Sequence, residues 1–495
     1  MQWHEATPKR WNQELSIAST LLDDFEAGID GAGCAFVSGL FNVVSEHGRV
    51  YERVKLRITY PPNTTAPRIL VFYDNPILGT SGLRPTRFFM LIEVADMDVK
   101  ELRQLKPEMD LFLDRYAPLF GREETQTHAH QYLQGLLLKG ERRNIENIAE
   151  AIDGCVVRSL QKFVGQACWQ DDGVLEELQR HTVQEIGDPE GILNVDESGF
   201  PKKGTKSVGV KRQYAGCLGR VDNCQIGVFV NYMTPGGHVL LDRRLFLPED
   251  WAADAERRRE AGVPEAVVFR TKPELALEMV REAADRGVPF RWVGGDSLYG
   301  DSPGFVQGIR ELDKWYVMDV SASMYVWLTE PEVIPAGTKG AKGRPTTQPH
   351  ATTKPIPLSA ALAQAPAAAW RRVVVAEGSQ GPRTYEYAEI PVWFSEGGLP
   401  SGPERLLIRR TLSQKAEIKY QRTNAPKTVG LEAVARVGGS RWSVEEDFQT
   451  GKGECGLDEY ETRGWVGWHH HTALSMLALW FLMLQRHRLK KKNPR

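Results

Sequence analysis

No C-x-x-C pair occurs anywhere in the chain, which removes the common zinc-finger and zinc-ribbon arrangements from consideration. The six cysteines, Cys34, Cys155, Cys168, Cys217, Cys224 and Cys455, are scattered over 495 residues, so a disulfide-stapled secreted scaffold is excluded as well. Long apolar runs are also missing. The most apolar stretch, TALSMLALWFLML from Thr472 to Leu484, is about two-thirds of the ~20 residues that a membrane-spanning helix needs, and reads as a buried helix. The opening MQWHEATPKRWNQEL has no apolar h-region, so export is not expected and a reducing cytoplasm is the expected compartment. Neither sign of charge is in surplus. Lys plus Arg number 62 against 64 Asp plus Glu, a net charge of -2, so any contact with a polyanion rests on local basic patches.

What is present is enough apolar material, 41% of the residues, to build two to four domains. Residues 1–98 contain alternating, strand-like runs (VYERVKLRITY, RILVFYD, RFFMLIEV) without a readable motif, and are expected to form a small α+β module of unassigned role. From 99 to 185 apolar residues recur at helical spacing, in MDLFLDRYAPLF, HQYLQGLLL, NIENIAEAI and VRSLQKFVGQACW, predicting an all-helical domain. Within it, Ile145–Asp153, Gly154 and Val157–Phe163 fit either a helix-turn-helix or an ordinary helical hairpin. Residues 186–330 read β-β-β-α-β-α-β: GILNVDE, QIGVFVNYMT and HVLLDRRLFL as strands, KPELALEMVREAADRG as a helix, then FRWVGGDS, PGFVQGIRELD and KWYVMDVSA. That order predicts a mixed α/β sheet with helices on its faces. Proline, glycine and alanine crowd 331–369, where no core is expected. WRRVVVAEG, RTYEYAEIPVWF and ERLLIRRTL then make 331–410 a linker followed by a β-rich insertion. Residues 411–485 return with a strand, KYQRTNAP, and a helix, GSRWSVEEDFQTGK, and 486–495 form a basic tail.

Chemistry is suggested by carboxylates. Two strand-like runs end on them, Asp196 in NVDESGFPKKG and Asp296 in GGDSLYGDSP, and a later helix offers Glu445 in RWSVEEDF. A phosphodiester is opened efficiently by two divalent ions ~3.5–4 Å apart, and Mg²⁺ takes hard oxygen ligands while keeping several waters. Three carboxylates from separate elements would suffice. Each has a plainer reading: Asp196 and Asp296 as turn formers or helix caps, and Glu445 as a solvated residue paired with Arg441 one turn away. Glu197 and Glu446 compete with their neighbours for the same role. Arg441 and Lys452 flank Glu445 on one helix face, where cations would hold an anionic strand. Lys202, Lys203, Lys206, Lys211 and Arg212 follow Asp196 closely and suit phosphates or solvent equally. Three consecutive histidines, His469–His471, cannot converge on one ion from a helix, because successive side chains point about 100° apart; they read as packing or phosphate contacts.

Together, NVDESGFPKKG, GGDSLYG and RWSVEEDFQTGKGECGLDEYETRGWVGWHHHTAL resemble the DDE transposases of bacterial insertion sequences, insertion-sequence family 701 and the related family 4. The resemblance runs from about Val99 to Leu484. It implies an RNase H-like catalytic core of mixed sheet, interrupted by a β-rich insertion and preceded by a helical DNA-binding domain. It further implies two Mg²⁺ or Mn²⁺ ions on Asp196, Asp296 and Glu445, with Glu445 preferred over Glu446, and Asp196 over Glu197, by the family pattern. Arg441 and Lys452 match the basic members of a Y-R-E-K signature that contacts DNA, whose tyrosine position is Gly438 here. Lys202, Lys203 and Arg463 are further candidate DNA contacts, and Trp393 and Trp370 are candidates for holding a flipped base, with core packing the alternative for each. The implied partners are double-stranded transposon ends and target DNA, with a homodimer in the synaptic complex, on the bacterial nucleoid and not on a membrane. Two other readings stand beside it: a repurposed DNA-binding protein that kept the fold, and a nuclease that cuts without strand transfer.

Overall fold

The computed structural model describes residues 107–488 apart from 139–141, 153, 339–345, 366–368, 379–380 and 414–415, and the backbone alone at 217, at 377–378, in the strands between 22 and 93, and in the helix ends at 99–106 and 489–492. The described residues fall into two units. Met1–Val174 groups with Thr450–Arg495, and Leu175–Gln449 forms the other.

In the first unit β1 (Leu22–Ile29), β2 (Ala35–Val44), β3 (Val50–Tyr60), β4 (Arg68–Asp74) and β5 (Arg87–Glu93) form an antiparallel meander in sequence order. The helices expected for this module lie outside the described residues. Four helices follow, Val99–Tyr116, Glu123–Leu137, Ile145–Ala151 and Val157–Gly165. Asn144 starts the third by accepting the N–H of Asn147 at 2.9 Å, a local cap that costs the chain little to form. Gly154 then takes φ +74 between the third and fourth, the left-handed turn that glycine adopts without strain. The Trp465–Lys492 helix is buried without a break from Gly467 to Gln485, as a helix that is apolar on every side must be. It packs within this unit: the rings of Phe112 and Phe481 lie 5.2 Å apart and His470 stacks on Trp169 at 3.7 Å. Of residues 411–485, expected to form the second part of the catalytic core, those from Thr450 onward group by contacts with the helical unit, where this helix finds its apolar partners. The basic tail begins as the last turns of the same helix, and its final residues, 493–495, lie outside the described residues.

The second unit is built on a mixed sheet. Its centre comprises β6 (Ile192–Pro201), β8 (Arg220–Thr234), β9 (Gly237–Leu245), β10 (Trp292–Gly295) and β11 (Trp315–Val320). β8 pairs antiparallel with β6 and β9 antiparallel with β8, while β10 lies parallel to both β6 and β11. This mixture of parallel and antiparallel strands is consistent with an RNase H-like core. The short β7 (Lys211–Ala215) edges β8. Asp196 is not at a strand end, as expected, but inside β6, which runs on to Pro201 against β8; what ends there is the parallel half of the pairing.

The β-rich insertion is not a separate body. After β11 come β12 (Tyr325–Trp327), the separate pair β13 (Val333–Ile334) and β14 (His350–Ala351), then β15 (Ile356–Pro357), β16 (Arg371–Gly378), β17 (Gly381–Glu396), β18 (Leu399–Pro400), β19 (Glu404–Arg410) and β20 (Ile418–Thr423); β20 pairs with β11, β19 with β20, and β17 with β19, so one sheet of 13 strands holds both. Nor is 331–369 without a core. Leu358 and Ala361, on the helix Leu358–Leu362, are buried with Val320, Val326, Phe394 and Leu406; alanines and isolated leucines pack there because the sheet supplies the larger partners.

Glycines let the layers approach. A Cβ at Gly294 would sit 2.3 Å from Asn194 Oδ1, and one at Gly300 would sit 2.0 Å from the Asp319 carbonyl. Gly300→Ala should therefore lower stability by about 1–3 kcal/mol, the usual cost of overpacking, whereas Gly304→Ala, on an open helix face, should raise it by up to about 1 kcal/mol. Thermal melts of the two variants against the parent test the contrast.

Candidate active site

Asn194 on β6 pairs with Gly294 on β10, and Gly294 pairs with Val317 on β11. Side chains two residues apart on a strand share a face, so two steps further along bring Asp196, Asp296 and Asp319 into one row on three neighbouring parallel strands. The row is electrostatically tight. Burial pushes the Asp296 carboxyl above its ordinary range, and the charge of Asp196 pushes it further. Burial likewise raises Asp196, while Arg441 draws it back. Asp296 also caps the short helix Ser297–Gly300, accepting the N–H of Leu298 at 2.9 Å through Oδ1, so its capping role and its place in the row coexist.

Arg441 spans the row. Its Nη2 donates to Asp196 Oδ2 at 3.0 Å and its Nη1 to Asp319 Oδ2 at 3.3 Å, with all three side chains only 15–20% exposed. Burial alone would favour losing its proton, but Asp196, Asp319 and Asp296 outweigh that and hold the guanidinium firmly charged. The row's other end is tied down by Gln421, whose Nε2 donates to Asp319 Oδ1 at 2.8 Å. Behind the row, the buried Arg422 donates to the carbonyl of Gly300 at 3.2 Å and to Glu404.

The helix Trp442–Cys455 carries Glu445 in its first turn and Lys452 in its last. Its rotation is set by a buried polar chain. Ser440 Oγ donates to Asn194 Oδ1 at 3.2 Å, Ser443 Oγ to Asn231 Oδ1 at 2.8 Å, and Asn231 Nδ2 to Asp447 Oδ2 at 2.6 Å. Asp447 Oδ1 meets His238 Nδ1 at 2.8 Å. With Asn194, Asn231 and Asp447 buried, each group must find a partner, and the helix can satisfy them in one rotation only. In that rotation Glu445 is exposed, one turn from Arg441, whereas Glu446 turns toward His238, 3.7 Å away. At the first carboxylate, Glu197 is engaged by Lys272 Nζ at 2.8 Å and by the Tyr299 hydroxyl at 3.3 Å, on the opposite side of β6 from Asp196.

Asp196 and Asp296 fit a hard divalent cation. They are two partly buried carboxylates in neighbouring register, with the charge of Asp196 disfavouring ionisation of Asp296, and Mg²⁺ is commonly taken by one or two carboxylates with water completing the shell. Among the described residues no three His, Cys, Asp or Glu side chains are gathered closely enough to hold an ion, and Glu445 is not gathered with the pair.

A family model described as DDE superfamily endonuclease matches residues 115–382. The chain belongs to the DDE superfamily endonucleases. The matched span contains Asp196, Asp296 and Asp319 and stops before Arg441 and Glu445. The chain is also 30% identical over 222 residues to the probable transposase for insertion sequence element IS701 of Microchaete diplosiphon, an alignment that takes in 44% of this chain and 55% of that relative. The chain thus spans about half the length of the curated relative it matches.

The remaining expected residues of this DDE endonuclease are dispersed. Lys202 and Lys203 follow β6 directly, in a turn pinned by Asn223, whose Nδ2 donates to the Lys202 carbonyl at 2.7 Å. Further along, Lys206 pairs with Glu260 at 3.2 Å and Lys211 with Asp250 at 2.9 Å, so part of that basic segment is neutralised by the protein itself. Trp393 is half-buried on β17 with its indole N–H buried and unbonded, and Trp370 lies beneath the Arg410 guanidinium at 4.0 Å. Arg463 is exposed in the other unit. His469–His471 are buried there: His470 meets the carbonyls of Val164 and Trp169, and His471 meets the Tyr132 hydroxyl at 2.9 Å. Packing is their role in this fold. At Gly438 a Cβ would sit 2.8 Å from the Gln421 amide and 3.0 Å from Val317, so the signature's tyrosine has no room. Sequence reasoning missed Asp319, although KWYVMDVSA is a third strand reaching a carboxylate as NVDE and GGDS do.

No described helix is long and apolar enough to cross a membrane. Removing the buried Asp447 carboxylate leaves Asn231 and His238 without their acceptor, so Asp447→Ala should cost about 1–3 kcal/mol. Glu445→Ala, on the exposed side of the same helix, should stay within about 0.5 kcal/mol of the parent. Paired thermal melts read the difference.

Proposed function

We propose that the chain is a transposase that cuts DNA at insertion-sequence ends and joins the freed ends to target DNA, with Asp196, Asp296 and Glu445 as its ion-holding carboxylates. The observation that carries this reading is the in-register pair Asp196 and Asp296 beside Arg441, in a chain of the DDE endonuclease family whose relative is a probable transposase.

Two Mg²⁺ or Mn²⁺ ions, when bound, would supply the Lewis acidity and charge neutralisation that phosphodiester chemistry needs. The chain's own groups do the rest. Asp196 and Asp296 are fixed by the sheet, and Glu445 is presented by a helix whose rotation the His238–Asp447–Asn231 chain sets. Lys452, Lys202, Lys203 and Arg463 hold the phosphate backbone, Arg441 serves both the carboxylates and the DNA, and Trp393 stacks on an unpaired base. The helices between 99 and 185 bind the element's ends, and two copies of the chain hold two ends together. In the first reaction water bonds to phosphorus, the 3′ oxygen leaves, and the water's proton is lost to it. In the second, that 3′-hydroxyl attacks a target phosphodiester, whose own 3′ oxygen leaves and takes up the hydroxyl's proton.

The test is a denaturing-gel assay with labelled DNA carrying the sequences that flank the gene, in Mg²⁺ or Mn²⁺. The expected result is metal-dependent cutting at the element boundary and joining to a second duplex. Removing an ion ligand forfeits several kcal/mol of transition-state stabilisation, so Asp196→Asn, Asp296→Asn and Glu445→Gln should each slow both steps by on the order of 10³-fold, while Glu446→Gln retains activity. Binding without cutting in either metal would overturn the reading in favour of a repurposed DNA-binding protein. Cutting without joining would reduce it to a nuclease.

A further inference from the structure

Asp319 has no part in the carboxylate set just proposed, yet it shares Arg441 with Asp196. The guanidinium does not sit bidentate on one carboxylate, the geometry that arginine favours. It is divided, 3.0 Å to Asp196 on one side and 3.3 Å to Asp319 on the other, and its Nε is buried without a hydrogen-bond partner. An arginine that leaves a buried donor unsatisfied gives up part of the available hydrogen-bond energy. Asp319, in contrast, is held firmly: its second oxygen accepts from Gln421 at 2.8 Å, and Gln421 is its directly paired neighbour on β20. Arg441 occupies Asp196 Oδ2, while Oδ1 accepts the Glu197 N–H, so a divalent cation that takes Oδ2 would compete with the guanidinium.

We propose that Asp319, anchored by Gln421, is a positioning residue that holds Arg441 as a displaceable latch across Asp196, closing the ion-free site and giving the guanidinium a second carboxylate to retire to when an ion enters. This rests on the reading that Asp196 and Asp296 take a divalent ion. The retreat matters because it keeps a cation near the row without leaving it on the ligand oxygen. Without Asp319, Asp196 is the one acid still hydrogen-bonded to Arg441 among the described residues, and the guanidinium blocks it more strongly.

A double-mutant cycle in Mn²⁺ affinity tests this, with the full chain titrated and the free ion read by its electron paramagnetic resonance signal. Arg441→Gln is expected to tighten Mn²⁺ binding. Asp319→Asn is expected to weaken it in the parent and to have little effect in the Arg441→Gln background, a coupling of at least about threefold for groups acting as one unit. Equal weakening in both backgrounds would overturn the proposal, since Asp319 would then act by its own charge or as a ligand. A parent chain that binds no Mn²⁺ would overturn the ion-holding reading beneath it as well. Asp319→Ser serves as a second removal should the asparagine variant fail to fold, and thermal melts in the absence of metal establish that each variant compared is folded.

Discussion

Two carboxylates on the parallel strands β6 and β11 and a third, Asp296, directly after β10 between them repel one another, and a folded sheet cannot move them apart. The Arg441 guanidinium, set between Asp196 and Asp319, is the structure's answer to that repulsion, and much of the surrounding architecture exists to deliver it there. Arg441 lies at the junction of two helices, Leu431–Gly439 and Trp442–Cys455. The first must come close enough to the sheet for Gly438 to touch Gln421 and Val317, and the second must be rotated so that Ser443 and Asp447 meet the buried asparagines of β6 and β8. Both constraints are met in this structure, so the charge balance of the row is tied to the packing of two helices.

The same reasoning explains why small residues crowd the row. Gly294, Gly295 and Gly300 each bring backbone within reach of a neighbouring strand or side chain that a Cβ would displace. Glycine weakens a strand through its entropy, and here that cost is offset by the close approach it permits. Arg422, buried and paired with Glu404, reaches the Gly300 carbonyl from β20, so the turn following Asp296 is held from the strand side as well as by its own cap.

Much of this was legible from pattern. The alternation and helical spacing in 186–330 point to a mixed α/β sheet because residues on a strand or helix report their own burial locally. Asp196 and Asp296 stand out because short apolar runs end on them, and helical periodicity links Glu445 to Arg441 and Lys452 for the same local reason. The legible part stops where partners are distant in sequence. Nothing near Asp319 reveals that Gln421 and Arg441, 102 and 122 residues away, meet it, nor does His238 reveal Asp447. Gly438, where the family signature has tyrosine, is explained by a helix-to-sheet distance. Likewise, the alanines and prolines of 331–369 disguise Leu358 and Ala361 as linker because their apolar partners come from other strands.

The strands after Arg371 were expected as an insertion, yet β20 lies directly against β11, with Gln421 opposite Asp319. Their two ends therefore face different demands. Between β12 (Tyr325–Trp327) and the buried helix Leu358–Leu362, lengthening or shortening a loop changes closure entropy only slowly with residue number, so a change in size is better tolerated there than in the helix itself. The returning hairpin of β19 and β20 is more constrained: a shift of one residue would turn Gln421 to the other face of the sheet and leave Asp319 with Arg441 alone. Tolerance to change in length is thus least at β20, the strand that touches the site.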